Sequence, residues 1–134
     1  MGDMQAKRVV IVEDEIPIQR LYKTKLELEG FRVEVASSGT EGLKVIRRTN
    51  PDLVLLDLRM PGMNGDELLA KMRQTEWGSS IRVIILTNVS RDEAPAQLRF
   101  LGVSRYIVKA HHTPKQLVEI IHEVLGDKPH HATQ

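Results

Sequence analysis

The chain has 134 residues, a net charge of +1 and no cysteine. This length suits one domain with its own apolar core, and the lack of cysteine excludes disulfides and zinc–thiolate sites. The near balance of 19 basic and 18 acidic residues predicts no strong attraction to nucleic acid or to anionic membranes. No apolar run reaches the ~20 residues of a membrane span, and we expect a cytoplasmic protein.

Five short apolar runs predict the strands of a sheet. They are Val9–Val12, Val33–Ala36, Leu53–Leu56, Val83–Leu86 and Tyr106–Val108. Four of the runs do not alternate, which is typical of strands covered on both faces. The second run alternates apolar and polar residues, so it suits an edge strand with one wetter face.

Apolar residues at helical spacing predict helices between these strands. In the first helix, Ile18, Leu21, Tyr22 and Leu26 share one stripe, and Gly30 ends the helix. Shorter stripes mark a second helix with Leu43 and Ile46 and a third with Leu68, Leu69 and Met72.

The last two helical segments differ in the strength of their signals. The final helix begins with the capping-box motif TPKQ at Thr113 and ends at Gly126. The segment 90–101 is weaker, because Pro95 removes a hydrogen bond and clashes with the preceding turn. We expect a regular helix to begin near Pro95 and residues 90–94 to be looser.

The alternation of strands and helices assigns the chain to the α/β class. We expect a doubly wound, five-stranded parallel sheet of order 2-1-3-4-5 with helices on both faces, a flavodoxin-like three-layer sandwich. Residues 1–126 would form this domain, and residues 127–134 would form a polar C-terminal tail.

Polar residues follow four of the predicted strands. Glu13 and Asp14 follow the first strand, Asp57 the third, Thr87 the fourth and Lys109 the fifth. The carboxyl ends of parallel strands share one edge, and ligand sites form where the strand order reverses. With the order 2-1-3-4-5, three carboxylates, a hydroxyl and an ammonium would meet there.

The charges of this cluster restrict its chemistry. Three close carboxylates repel one another unless a cation neutralises them, and Mg²⁺ is the hard cation that takes oxygen ligands and several waters. Mg²⁺ beside a carboxylate and Lys109 suits phosphoryl transfer, because both cations neutralise the transferring oxygens. Asp57 would be the nucleophile and would become an aspartyl phosphate.

Each of these residues has a structural interpretation when it is taken alone. Asp57 could be a turn residue or a helix cap, and Glu13 with Asp14 could favour the dipole of the first helix. Thr87 could be a loop-entry residue and Lys109 a surface lysine. Their joint occurrence, each at the end of its own strand, favours the site.

The motifs VVIVEDE, LVLLDLRMPGMNGDELL, VIILT and YIVKA resemble the receiver domains of bacterial two-component response regulators. The second motif is the most specific, because Asp57 is followed by Met60-Pro61-Gly62 and Asn64-Gly65. The resemblance covers about residues 7–126. We therefore expect residues 1–126 to be a stand-alone receiver domain that regulates and is not an enzyme.

The resemblance implies the phosphorylation chemistry and the partner that supplies it. Asp57 would be the phosphoacceptor and would take its phosphoryl group from a sensor histidine kinase or a histidine phosphotransfer protein. Glu13 and Asp14 would hold Mg²⁺ with Asp57 and the backbone carbonyl of Arg59.

The resemblance also implies a switch. Lys109 would contact the phosphoryl oxygens, and Thr87 would move to bond the phosphoryl group. Tyr106 would be the switch aromatic, whose ring turns inward on activation. A downstream protein partner would read the signal on the face of the fourth helix, fifth strand and fifth helix.

Three positions depart from the family pattern. Ala110 replaces a proline that follows a cis bond, and since a cis bond before a non-proline costs ~3 kcal/mol, we expect a trans Lys109–Ala110 bond. Asn88 is larger than the small residue that usually follows the switch threonine in the family, and it would narrow access to the phosphoryl group. Arg59 is a cation that could pair with the acidic pair at rest or with the phosphoryl group later.

Three other functions compete with this interpretation. A haloacid-dehalogenase phosphatase needs an aspartate at the position of Arg59, which cannot act as a general acid. A flavodoxin-like mononucleotide binder needs a phosphate loop, whereas residues 13–15 are all acidic and would repel phosphate. A receiver-like interaction module that works without phosphorylation remains the alternative.

Overall fold

The computed structural model describes residues 6–126, so the predicted tail at 127–134 lies outside the described residues. The strands are β1 Arg8–Val12, β2 Arg32–Ala36, β3 Leu53–Leu56, β4 Arg82–Thr87 and β5 Val103–Val108. The α-helices are α1 Ile16–Leu28, α2 Gly39–Thr49, α3 Gly65–Arg73 and α4 Pro114–Leu125. No helix in this part of the chain combines the length and apolar character that crossing a membrane requires.

The sheet is parallel throughout and has the order β2-β1-β3-β4-β5. The predicted fold class and strand order are confirmed. Because Val12 of β1 is in register with Leu56 of β3, the residues that follow these strands emerge side by side. This pair of strands lies where the chain reverses its direction of strand addition, which is the usual place for a ligand site.

The core has one apolar cluster on each face of the sheet. One contains residues of α2 and α3, the other residues of α1 and α4. Val10 and Val54, in inner strands, are inaccessible to solvent, as expected for strands covered on both faces. In β2, Val33 is buried and Glu34 exposed, which confirms the predicted edge strand. The prediction for β5 was wrong, because β5 is the other edge and only Ile107 is buried.

Helix α1 packs on the sheet with most of the predicted stripe, but not with Leu21. Gln19, Tyr22 and Leu26 are its buried residues, whereas Leu21 is 51% exposed. The buried residues follow the spacing i, i+3, i+7 of one helical stripe. The predicted apolar stripe therefore misplaced Leu21 and left out a polar residue that belongs to the buried face.

The segment between β4 and β5 contains no α-helix, and the prediction of a regular helix from Pro95 was wrong. Two short 3₁₀ turns, Arg91–Glu93 and Ala96–Phe100, replace it. Between them Ala94 has a ψ angle of 147°, because a residue before proline avoids the helical region, and Pro95 is also extended at ψ 133°. Residues 90–94 form no regular helix, as expected, but the lack of an α-helix extends through the whole segment.

The segment 109–126, which includes the final helix, follows the sequence signals closely. Thr113 and Gln116 form the predicted capping box of α4, with the Gln116 N–H donating to Thr113 Oγ1 over 3.1 Å. The helix ends at Gly126, which is left-handed at φ 75°. The Lys109–Ala110 bond is trans, like every peptide bond across residues 6–126, and Lys109–His111 form a short 3₁₀ turn.

Candidate functional site

Three carboxylates meet where β1 and β3 end. One oxygen from each of Glu13, Asp14 and Asp57 lies within 4.8 Å of the others. The strand ladder holds two of them in place, because the Asp57 N–H donates to the Val12 carbonyl over 3.1 Å and the Glu13 N–H to the Ala36 carbonyl over 3.0 Å. Glu13 and Asp57 are buried, and Asp14 is half-buried.

Lys109 connects two of these carboxylates. Its Nζ donates to Glu13 over 2.5 Å and to Asp57 over 3.1 Å, and all three side chains are less than a tenth exposed. Burial lowers the pKa of Lys109, but the bond to Glu13 and the charges of Asp57 and Glu13 outweigh this, so its pKa is raised. Burial raises the pKa of the Glu13 carboxyl, and the bond from Lys109 opposes this. Lys109 is therefore a charged ammonium at the centre of the site.

Thr87 closes another side of the same cleft. It ends β4, is 1% exposed, and its Oγ1 accepts the Val89 N–H at 3.3 Å. The cleft of about 290 Å³ is lined by Asp14, Asp57, Thr87 and Lys109. The structure therefore brings together the polar residues that the sequence placed at the ends of four strands.

The donor atoms of the acidic cluster suit a hard divalent cation. Three carboxylates supply oxygen ligands only, which matches the preference of Mg²⁺. Asp14 is partly exposed and lines the open cleft, so a hydrated cation can reach the cluster. Lys109 bonds two of the three carboxylates and offsets one of their charges, which leaves Asp14 without an ammonium partner among residues 6–126.

Arg59 does not form the resting ion pair considered from the sequence. Its side chain is exposed and lines the cleft mouth with Asn88. Within the described chain it pairs with neither Glu13 nor Asp14, since Lys109 bonds Glu13 instead. Its backbone N–H donates to Asp57 Oδ1 at 3.4 Å. The guanidinium is therefore available to an anion that enters the cleft.

Tyr106 connects the cleft to the outer surface. Its hydroxyl donates to the carbonyls of Val89 at 2.7 Å and Ser90 at 3.3 Å. Arg91 lies 5.7 Å from the ring centre and donates to the Tyr106 carbonyl at 3.0 Å. Burial raises the pKa of the Tyr106 phenol, and the cation of Arg91 opposes this. The loop that follows Thr87 is thus hydrogen-bonded to the hydroxyl of the Tyr106 ring.

Gln19 is a supporting residue that the sequence interpretation missed. Its buried amide donates to the Glu13 carbonyl at 2.9 Å, the Ala36 carbonyl at 3.3 Å and Ser37 Oγ at 3.2 Å. It thereby positions the acidic turn after β1. The available signal was its spacing from Tyr22, three residues later on the same helical face.

Gly65 is a second residue whose role was missed. A Cβ atom at this position would overlap the backbone carbonyl of Asp57, and the Gly65 N–H donates to the Leu58 carbonyl at 2.9 Å. Only glycine allows α3 to approach the loop after β3 so closely. Its place directly after the helix cap Asn64 gave a weak signal.

Comparison with known proteins agrees with this geometry. The family model "Response regulator receiver domain" matches residues 9–122. An uncharacterized transcriptional regulatory protein of Bacillus subtilis, YkoG, is 37% identical over 87% of the chain, which spans 50% of that protein. Sporulation initiation phosphotransferase F of the same organism is 32% identical over 79% of the chain and 84% of its own length.

A solved structure shares the fold as well as the sequence pattern. A CheY-like response regulator receiver domain protein from Methanospirillum hungatei superimposes with a TM-score of 0.81 and 34% identity. The match covers 90% of this chain and 94% of that one. The chain spans about half the length of several transcriptional regulators that it matches.

Proposed function

The chain belongs to the response regulator receiver domain family, and we propose that it is a phosphoacceptor switch acting through Asp57. The observation that carries the proposal is that Asp57, Thr87 and Lys109 line one cleft beside an acidic pair. A nucleophile, a hydroxyl donor and an ammonium are thus available to the same phosphoryl group.

The phosphoryl donor in this proposal is a phosphohistidine on a sensor histidine kinase or histidine phosphotransfer protein. An Asp57 carboxylate oxygen attacks phosphorus, the new O–P bond forms as the P–N bond breaks, and the imidazole leaves with the bonding electron pair. Lys109 lies close enough to Asp57 to neutralise the transferred phosphoryl oxygens. The protein is modified in this step and acts as a regulator.

The acidic cluster would hold Mg²⁺ during the reaction. Its ligands would be the carboxylates of Glu13, Asp14 and Asp57 with the backbone carbonyl of Arg59. When bound, the cation supplies positive charge next to the oxygens of the phosphoryl group. The half-buried Asp14 would contribute most to the initial capture, because it lacks the ammonium partner that its two neighbours share.

The switch in this proposal connects the cleft to a partner-binding face. Thr87 turns toward the phosphoryl group, and the loop 88–90 follows because Val89 is bonded to both Thr87 and Tyr106. The output face comprises the segment 90–101, β5 and α4, which is the predicted fifth helix. A downstream protein partner reads this face, and neither nucleic acid nor a membrane is required.

A receiver-like interaction module that works without phosphorylation is the second candidate. Asn88 and Arg59 favour it, because both side chains line the cleft that an incoming phosphohistidine would have to enter. Ala110, in place of the family's proline, changes the loop after Lys109. In this alternative the same output face binds its partner constitutively.

Intact-protein mass spectrometry distinguishes the two candidates. The chain is incubated with acetyl phosphate and Mg²⁺, beside Asp57→Asn, a metal-free sample and the surface control Asp92→Asn, which is exposed. We expect one phosphoryl adduct that requires Mg²⁺, persists in Asp92→Asn and disappears in Asp57→Asn. The absence of an adduct, under conditions that label an ordinary receiver domain, would favour the phosphorylation-independent module.

A further inference from the structure

A shallow groove of about 700 Å³ lies between the two 3₁₀ turns and β5. The extended backbone at Ala94 and Pro95 opens it, since a continuous helix is absent there. Leu98 and Tyr106 line the groove, and Leu98 is buried in the core beneath it. The groove therefore offers an apolar floor at the surface that would transmit the signal.

Three arginines, Arg91, Arg99 and Arg105, line this groove, and no acidic residue of the described chain lines it. Within residues 6–126, neither Arg91 nor Arg99 forms an ion pair, and Arg105 pairs with Glu123 over 3.4 Å. Both members of that pair are about half exposed or more, so the pair contributes little and can exchange for another carboxylate. The groove thus carries a local positive charge on a chain that is nearly neutral overall.

The outer edge of β5 is poorly suited to pairing with another strand. The Tyr106 carbonyl accepts from Arg91 at 3.0 Å, and the Val108 carbonyl lies 3.3 Å from His112 Nδ1. Side chains therefore cover backbone groups that an added strand would need, a known way of protecting a sheet edge. Recognition at this face must use the arginine side chains and the apolar floor.

From these contacts we propose that the groove binds an acidic segment of the partner protein. Its carboxylates would bond Arg91, Arg99 and Arg105, and an apolar side chain would rest near Leu98. This inference rests on the proposed function, since it names the chemistry of the partner at the output face. The apolar floor favours a protein segment over a nucleic acid, which binds chiefly through its phosphates.

The Arg91 contact couples this groove to the switch. Arg91 is bonded to the Tyr106 carbonyl and lies over the ring whose hydroxyl bonds Val89. A movement of Val89 would therefore shift one of the three cations that bind the acidic segment. Phosphorylation would change the affinity of the groove without creating a new surface.

A synthetic peptide of alternating glutamate and leucine provides the probe, with an otherwise identical lysine–leucine peptide and a short DNA duplex beside it. Binding to the isotope-labelled full chain is followed by amide chemical shifts. We expect the acidic peptide to shift residues 91–106 and to bind more weakly as salt rises. The double variant Arg99→Glu/Arg105→Glu should raise its Kd about tenfold, whereas Arg47→Glu, exposed on α2, should not.

Several results would overturn the inference. These are shifts confined to another surface, equal binding of the lysine peptide, an unchanged Kd in the double variant, or tighter binding of the DNA at the groove. The amide spectrum outside residues 91–106 reports whether the double variant is folded. Peptide binding is measured on the unphosphorylated chain, so its failure is separate from a failure of Asp57 to form the phosphoryl adduct.

Discussion

The ammonium of Lys109 bonds the carboxylate of Asp57 at 3.1 Å, although 52 positions separate the two residues in the sequence. They follow β5 and β3, which are not neighbours, since β4 lies between them. Lys109 reaches across the carboxyl edge of the sheet and bonds Glu13 as well. One cation is therefore shared by two buried carboxylates in the unphosphorylated protein.

Replacing Lys109 should show how much its positive charge stabilises the fold. In Lys109→Met, Glu13 and Asp57 lose their shared cation, so we expect the free energy of unfolding to fall by about 2 kcal/mol in metal-free buffer. Mg²⁺ should restore part of the loss, because it neutralises the same carboxylates. Urea denaturation with and without Mg²⁺ measures both effects. Lys115→Met, exposed on α4, is the control, and equal stability of the two variants without Mg²⁺ would refute the expectation.

A methyl group at Gly65 should disturb Asp57, the proposed phosphoacceptor, directly. The added carbon of Gly65→Ala would overlap the Asp57 carbonyl, and backbone yields less readily than a side chain. We expect a loss of about 3 kcal/mol in the free energy of unfolding and slower formation of the acetyl phosphate adduct. Guanidinium denaturation and timed mass spectra provide the measurements. Glu67→Ala, exposed in the same helical turn, should change neither, and unaltered adduct formation in Gly65→Ala would contradict the argument.

Arg73 should stabilise the segment that replaces the predicted helix. Its guanidinium donates to four backbone carbonyls, two before β4 and two before β5, and burial lowers its pKa. In Arg73→Lys the planar guanidinium with its several N–H donors is lost. We therefore expect the free energy of unfolding to fall by about 2 kcal/mol and amide exchange in residues 96–102 to become faster. Hydrogen exchange followed by NMR tests this. Lys71→Met on the exposed side of α3 is the control, and unchanged exchange in Arg73→Lys would disprove the role.

The two tyrosines of the chain should titrate above their ordinary pKa of 10.0. Burial raises the pKa of both Tyr22 and Tyr106. The folded state therefore disfavours the phenolate, and its stability should decline as the pH rises from 10 toward the raised values. Tyrosinate absorbance of folded and guanidinium-unfolded protein measures the shift, and Tyr106→Phe isolates Tyr22. If the tyrosinate absorbance of folded and unfolded protein has the same midpoint pH, the raised pKa values are excluded.

The sequence predicted the strand order and the convergence of Glu13, Asp14, Asp57, Thr87 and Lys109 because those predictions depend on local patterns. Apolar runs identify covered strands, and a polar residue at the end of a parallel strand must lie at the shared edge. The segment 90–101 was predicted less well. Pro95 was rightly expected to interrupt the helix. The segment after it, however, is too short to nucleate an α-helix without strong packing.

The supporting contacts were beyond prediction for a different reason. No role could be assigned to Gln19 or Arg73 from the sequence, because nothing near them in the sequence indicates their partners. Gln19 bonds the turns after β1 and β2, and Arg73 bonds loops that precede β4 and β5. Those carbonyls come together only when the sheet and its crossovers have formed.

Residue type and spacing were enough to predict the fold class, the edge at which the site lies and the polar side chains that form it. The cation that bonds Glu13 was instead set by the packing of separate strands. Arg59 is nearer to Asp57 along the chain, yet its side chain is exposed, whereas Lys109 is buried beside both carboxylates. That outcome depends on distances between separate strands, which local patterning does not encode.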